Sequence, residues 1–181
     1  MTLLRLIGLG CAIVIAGVAS TAAASEYSVA VGCRPETGKQ IVDTRDYRFT
    51  LLVGHAENMY MRRQVRASHP KQGEEMLRGY MTPTAMLLAP GPIRHVEVQI
   101  CVRTTQAVVT DAWPKIVIKD TTSAKTLTLP ISVMEGIGEG AADLHYGNNL
   151  PMPARHRYIV TVTWRADRAI FHYVTRSRPR R

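Results

Sequence analysis

Apolar and polar residues alternate along most of this chain with a period of two, and turn residues separate the alternating runs. In "EYSVAVG" Tyr27, Val29 and Val31 stand against Ser28 and Ala30, and in "DYRFTLLVG" Tyr47, Phe49, Leu51 and Val53 stand against Arg48 and Thr50. "IRHVEVQICV" puts Val96, Val98 and Ile100 on one face and His95, Glu97 and Gln99 on the other. "KIVIKD", "KTLTLPISV", "RHRYIVTVTW" and "RAIFHYV" follow, rich in β-branched and aromatic side chains, with "PETG", "APGP", "GIGEG" and "YGNN" between strands. This pattern predicts an all-β protein, an antiparallel β-sandwich of about seven to eight strands, with no sustained helical period after the N-terminal stretch.

Two segments depart from the alternation. Residues 1–24 carry one charge at Arg5, an apolar run from Leu6 to Val18 and a small-residue end at Ala22–Ala24, the layout of a cleaved secretory leader. The apolar run is short for a membrane span and no basic stop-transfer cluster follows it. The expected mature chain is about 157 residues, enough for a single domain with a real core. That domain is expected over 25–175, followed by a basic tail at 176–181, and the protein is expected in a periplasm or outside the cell.

The second departure is a Met-rich stretch from Gly54 to Pro92, neither alternating nor cleanly helical, expected as a long loop or insertion over 54–92. It holds Met59, Met61, Met76, Met81 and Met86 with His55 and His69. Methionines there either fill irregular packing gaps or offer thioethers to a soft metal. Long connections in compact domains tend to be functional or disordered.

Charge and cysteine content narrow the chemistry. The net charge is +9, with 23 basic and 14 acidic side chains; such a balance attracts anionic surfaces in general. No nucleic-acid motif accompanies the charge, and the only dense basic cluster is "RSRPRR", Arg176–Arg181. No nucleic-acid partner is therefore expected. Cys33 and Cys101 remain after the leader, and an even pair in an oxidising compartment points to a disulfide, with a thiolate metal ligand as the alternative. There is no nucleophile elbow, phosphate loop or His-Glu-x-x-His helix, so no enzyme is expected.

Candidate metal chemistry lies in "HVE" and in "DLHYGNNLPMP". His95 and Glu97 are two apart on one strand and project from one face. His145, from what reads as a loop, is the expected partner, and Met134 in "LPISVMEG" sits on another strand. Two imidazoles, a thioether and a carboxylate suit copper better than calcium or magnesium, which take oxygen cages. The bland reading is a surface His95 beside an exposed Glu97, with His145 bonded to loop backbone, Tyr146 packed, and Asn148 or Asn149 in a left-handed turn.

From Ile93 to Trp164 the chain resembles the periplasmic iron-transport accessory proteins, a family that includes copper-binding antigens associated with iron permeases. The resemblance is carried by "HVEVQI", by "TLPISVMEG", and by "HYGNN" before "YIVTV", against that family's "HYGAN"-type loop and "Y-x-V-T-V" strand. It implies an immunoglobulin-like β-sandwich that binds copper through His95, Glu97, Met134 and His145. It further implies a homodimer, and a part in iron uptake beside a membrane iron or copper permease. Gln99 stands where that family would place a second strand histidine. A metal-free exported adaptor that holds a protein or envelope partner is the competing expectation, and a copper oxidoreductase a third.

Overall fold

The structure, a computed structural model, describes residues 30–79 and 92–176. The leader at 1–24, most of "EYSVAVG", Met81, Met86 and the tail beyond Arg176 lie outside the described residues. Within them the chain is predominantly β, with two packed sheets and one short helix. Its strands are β1 (Gln40–Asp43), β2 (Tyr47–Val53), β3 (Met59–Met61), β4 (Glu75–Leu77), β5 (Ile93–Val102), β6 (Lys115–Asp120), β7 (Thr126–Thr128), β8 (Ser132–Gly136), β9 (His145–Pro151), β10 (Arg157–Trp164) and β11 (Asp167–Val174). The larger sheet runs β1-β2-β5-β9-β8-β4-β3, and the smaller runs β11-β10-β6-β7.

Three local features add strands beyond the expected seven to eight, and β1 forms from "QIVD", outside the alternating runs. "KTLTLPISV" breaks at Pro130, so its halves become β7 in one sheet and β8 in the other; proline cannot donate to a ladder. "HYGNNLP" is not a loop but β9, paired with β5 and β8 on its two sides. Neither Asn148 nor Asn149 takes a left-handed conformation; both lie in the ladder. Part of the Met-rich stretch also folds into the sheet: β4 pairs antiparallel with β8, and β3 pairs parallel with β4. Between them α1 (Arg62–Ser68) makes two exposed turns and ends at His69, φ 45°, just before Pro70. A helix this short, with no buried residue, leaves no periodic signal.

The core lies between the sheets. Phe49, Val96, Val98 and Tyr146 from the large sheet meet Ile116, Val160, Val162 and Phe171 from the small one. These are the apolar phases of the alternating runs, and their burial drives the sandwich closed. Tyr146 is fully buried, and its hydroxyl donates to Val109 O at 2.6 Å and accepts from Ala112 N at 3.0 Å.

The outer face of the large sheet is buried as well. His95, Glu97 and Gln99 of β5 are 3, 8 and 2 % exposed, because three segments roof them. The residues around Cys33 are held by the Cys33–Cys101 disulfide, Cα atoms 6.1 Å apart, and by Cys33 N donating to Gln99 Oε1 at 2.5 Å. A 3-10 turn at Gly140–Asp143 is tied down by Gln99 Nε2, which donates to Ala142 O and Leu144 O at 2.7 and 3.2 Å. The loop after β2 is pinned through Glu57 to Asn149. Gln99 thus spends its whole amide on backbone groups, which accounts for an amide rather than an imidazole at that position.

Candidate metal centre

Register explains how the site residues meet. His95 is paired with Asn149 and Glu97 with Gly147 across β5–β9, while Met134 is paired with His145 across β8–β9. Directly paired antiparallel residues share a face. The same face continues one strand further, where Glu75 pairs with Gly136 and Leu77 with Met134. His95, Glu97, Met134 and His145 therefore project under one roof, as the sequence spacing indicates for the first two.

Gly147 sits between them for a steric reason. A Cβ at this position would lie 1.8 Å from Val96 O and 2.9 Å from Val96 C, so β9 approaches β5 too closely for any side chain. This glycine is required by packing and not by a turn.

Three donor atoms converge. Glu75, His95 and His145 each offer one ligand atom, all within 4.8 Å of one another and all on buried residues. Glu75 Oε2, His95 Nε2 and His145 Nε2 have no hydrogen-bond partner; His145 Nε2 lies 3.2 Å from Glu75 Oε2, a charge contact without hydrogen-bond alignment. The rings of His95 and His145 meet edge to face, centroids 5.7 Å apart. Orphaned buried polar atoms are uncommon in folded proteins and call for an explanation such as an ion.

The other nitrogen of each ring is engaged. Asn149 Nδ2 donates to Glu57 O at 2.8 Å and Glu57 N donates to Asn149 Oδ1 at 3.2 Å, which fixes the orientation of the amide. Its Oδ1 therefore faces His95 Nδ1, 3.1 Å away, and that nitrogen is the donor. His145 Nδ1 likewise donates to Asp143 O at 2.7 Å. Both rings are held by backbone or amide acceptors with Nε2 directed into the cluster, the arrangement that orients metal-ligating histidines.

A second group shares His145. Glu97, Asp143 and His145 also place ligand atoms within 4.8 Å of one another. Asp143 Oδ2 accepts from Gly136 N at 2.9 Å and lies 3.7 Å from His145 Nδ1. Lys39 Nζ, almost fully buried, is 3.8 Å from Glu97 Oε1 and 3.4 Å from Glu36 Oε2. Glu97 thus faces an ammonium group and His145, whereas Glu75 faces both histidines.

Protonation follows burial and neighbouring charge. Burial holds His95 down to about 4, assisted by His145 and opposed by Glu75 and the Asn149 hydrogen bond. Burial also pulls on His145, but contact with Glu75 and the charges of Glu97, Glu75 and Asp143 outweigh it and push the ring up to about 9. Glu97 and Asp143 are both raised, first by burial, with His145 acting against it. The neighbouring carboxylates thus favour the protonated form of His145, and burial favours the neutral form of His95.

Of the sequence candidates, His95 and His145 come together, His95 Nε2 without a partner and His145 Nε2 facing Glu75 Oε2. Met134 lies opposite His145, fully buried. Glu97 belongs to the adjoining group. Glu75 and Asp143 carried no signal in the sequence: Glu75 stands on a three-residue strand inside the irregular stretch, and Asp143 on a single 3-10 turn. Of the Met-rich histidines, His55 and His69 are exposed.

No protein-family model matches the chain, and no curated protein matches it. Among solved structures it is similar to the crystal structure of a DUF4426 family protein from Pseudomonas aeruginosa PAO1, with TM-score 0.43 and 13 % identity, over 78 % of this chain and 98 % of that one. A likeness at that level carries no inference about chemistry.

Proposed function

We propose that this chain is an exported, non-enzymatic metal-binding protein that holds one copper ion through His95 Nε2, His145 Nε2 and a carboxylate oxygen of Glu75. The observation that carries the proposal is the convergence of three buried donor atoms, of which His95 Nε2 has no partner and His145 Nε2 and Glu75 Oε2 have only each other, 3.2 Å apart. Neutral imidazole and carboxylate suit borderline first-row ions, and a cage with two nitrogens is poor for calcium or magnesium. Met134, beside His145 on the same face, adds a soft donor that favours copper over zinc, above all as Cu(I). Glu97 moves from ligand to neighbour, next to Lys39.

The roof over the site suits retention and transfer of an ion more than turnover of a substrate. The resemblance of the Ile93–Trp164 stretch supports a role in copper handling or iron uptake, as a homodimer beside a membrane permease. Metal and proton compete for the same lone pair on His145, so loading releases protons.

Metal analysis and titration of the purified mature protein test this reading. The expected result is one copper per chain, bound more tightly than zinc, with a Cu(II) paramagnetic resonance signal showing nitrogen hyperfine coupling. Absence of stoichiometric uptake of any first-row ion overturns metal binding, and tighter zinc than copper binding overturns the choice of metal.

A further inference from the structure

The two outer faces of the sandwich are treated differently. The large sheet is roofed, whereas among the described residues nothing covers the outside of the small one. Register places three ranks of residues on that bare face. Lys115, Thr163 and Arg168 form one rank and Val117, Thr161 and Ile170 the next. Lys119, Ile159 and His172 form the third, with Arg157 beyond it opposite Val174.

Every formal charge on this face is positive. Lys115, Lys119, Arg157 and Arg168 are all exposed, and none pairs with a carboxylate among the described residues. Between the cations lie aliphatic side chains, of which Ile170 and Val174 are 44 and 54 % exposed. At the rim, two residues before Lys115, Trp113 is 65 % exposed, the most exposed of the large apolar side chains among the described residues. Four strands span roughly 15–20 Å.

We infer that the outer face of the β11-β10-β6-β7 sheet docks on an anionic lipid bilayer. Cations flanking an aliphatic rank and an indole at the rim fit a headgroup layer, where Lys and Arg meet phosphate and Trp settles at the interface. In sequence, β11 is followed by four further arginines, Arg176, Arg178, Arg180 and Arg181. The inference is independent of the metal site, which faces the opposite side of the sandwich.

Co-sedimentation of the full mature protein with phosphatidylglycerol–phosphatidylcholine vesicles tests it, with pure phosphatidylcholine vesicles and soluble heparin as the other arms. Binding to the anionic vesicles is expected, weakening with salt, with little binding to phosphatidylcholine and a blue shift of tryptophan emission. Trp164 lies beneath the Arg165 guanidinium, 5.4 Å from its ring, so Trp113→Ala should abolish the shift. Lys119→Glu and Arg168→Glu, on opposite sides of the face, should each weaken binding about fivefold or more while copper uptake and thermal unfolding stay unchanged. Equal binding to neutral vesicles, full binding by both charge variants, or tight heparin binding without vesicle binding would each overturn the inference. Should a charge variant prove unstable, the Trp113→Ala emission measurement decides alone.

Discussion

Asn149 Oδ1 lies 3.1 Å from His95 Nδ1, and its amide is locked by both the N–H and the C=O of Glu57. One asparagine thus sets the tautomer of a histidine and anchors a loop. Asn149→Ala should lower copper affinity by about 10–100-fold, because His95 loses the acceptor that directs Nε2 inward. Asn149→Asp, which keeps an acceptor, should recover much of it. Calorimetric titration of the two variants against wild type checks this, and equal affinities would detach Asn149 from the site.

Glu75 and Glu97 belong to the two candidate groups that share His145. If the ligand set is Glu75, His95 and His145, then Glu75→Gln, His95→Ala and His145→Ala should each cost about a hundredfold or more in affinity. Glu97→Gln should cost much less, and His69→Ala nothing. Titrations of these variants decide the assignment; a larger loss at Glu97 than at Glu75 would move the ion to the adjoining group.

The Cys33–Cys101 bond closes a loop with sequence separation 68. On the chain-entropy account its removal should cost about 4 kcal/mol. Cys101 lies on the same face of β5 as His95, and Cys33 belongs to the roof, so the double Cys→Ser variant should also lose copper affinity. Urea unfolding with and without reductant gives the first quantity, and titration gives the second.

Gly147→Ala should fail to fold normally. The added methyl would lie 1.8 Å from Val96 O, within the β5–β9 pairing at the centre of the large sheet. The expected loss exceeds about 3 kcal/mol, visible as poor soluble yield and a lowered unfolding midpoint. Gly54→Ala, where a Cβ meets nothing within 4 Å, is the matched control.

Asp120 gives a pH prediction remote from the candidate metal site. Burial alone would raise its carboxyl, but bonds from Ser123 Oγ, His156, Thr122 N and Ser123 N hold it down to about 2. The folded pKa is below the unfolded one, so the stabilisation is present above about pH 4. It fades as pH falls through about 2. Asp120→Ala should therefore lose about 1–2 kcal/mol at pH 7 and approach wild type in strong acid. Urea midpoints across pH 2–7 measure this, and a pH-independent difference would refute the ionic origin.

Much of the scaffold is written in local sequence. Period-two runs gave β2, β5, β6, β10 and β11 their positions, since each must turn an apolar phase to the core. The separated cysteines indicated a bridge, and the parity of His95 with Glu97 put both on one face. Tertiary structure alone decided the rest. On β5 both phases are buried, yet the polar phase reads locally like a solvent-facing one; only the roof makes His95 and Gln99 interior. "HYGNN" carries turn residues, but its glycine answers to the Val96 backbone one strand away. Glu75 lies on a strand too short to show alternation and reaches the cluster through β8, across register pairs that no local pattern encodes. Periodicity reports which face a strand turns inward; the ligand set depends on which strands become neighbours, and long-range pairing settles that.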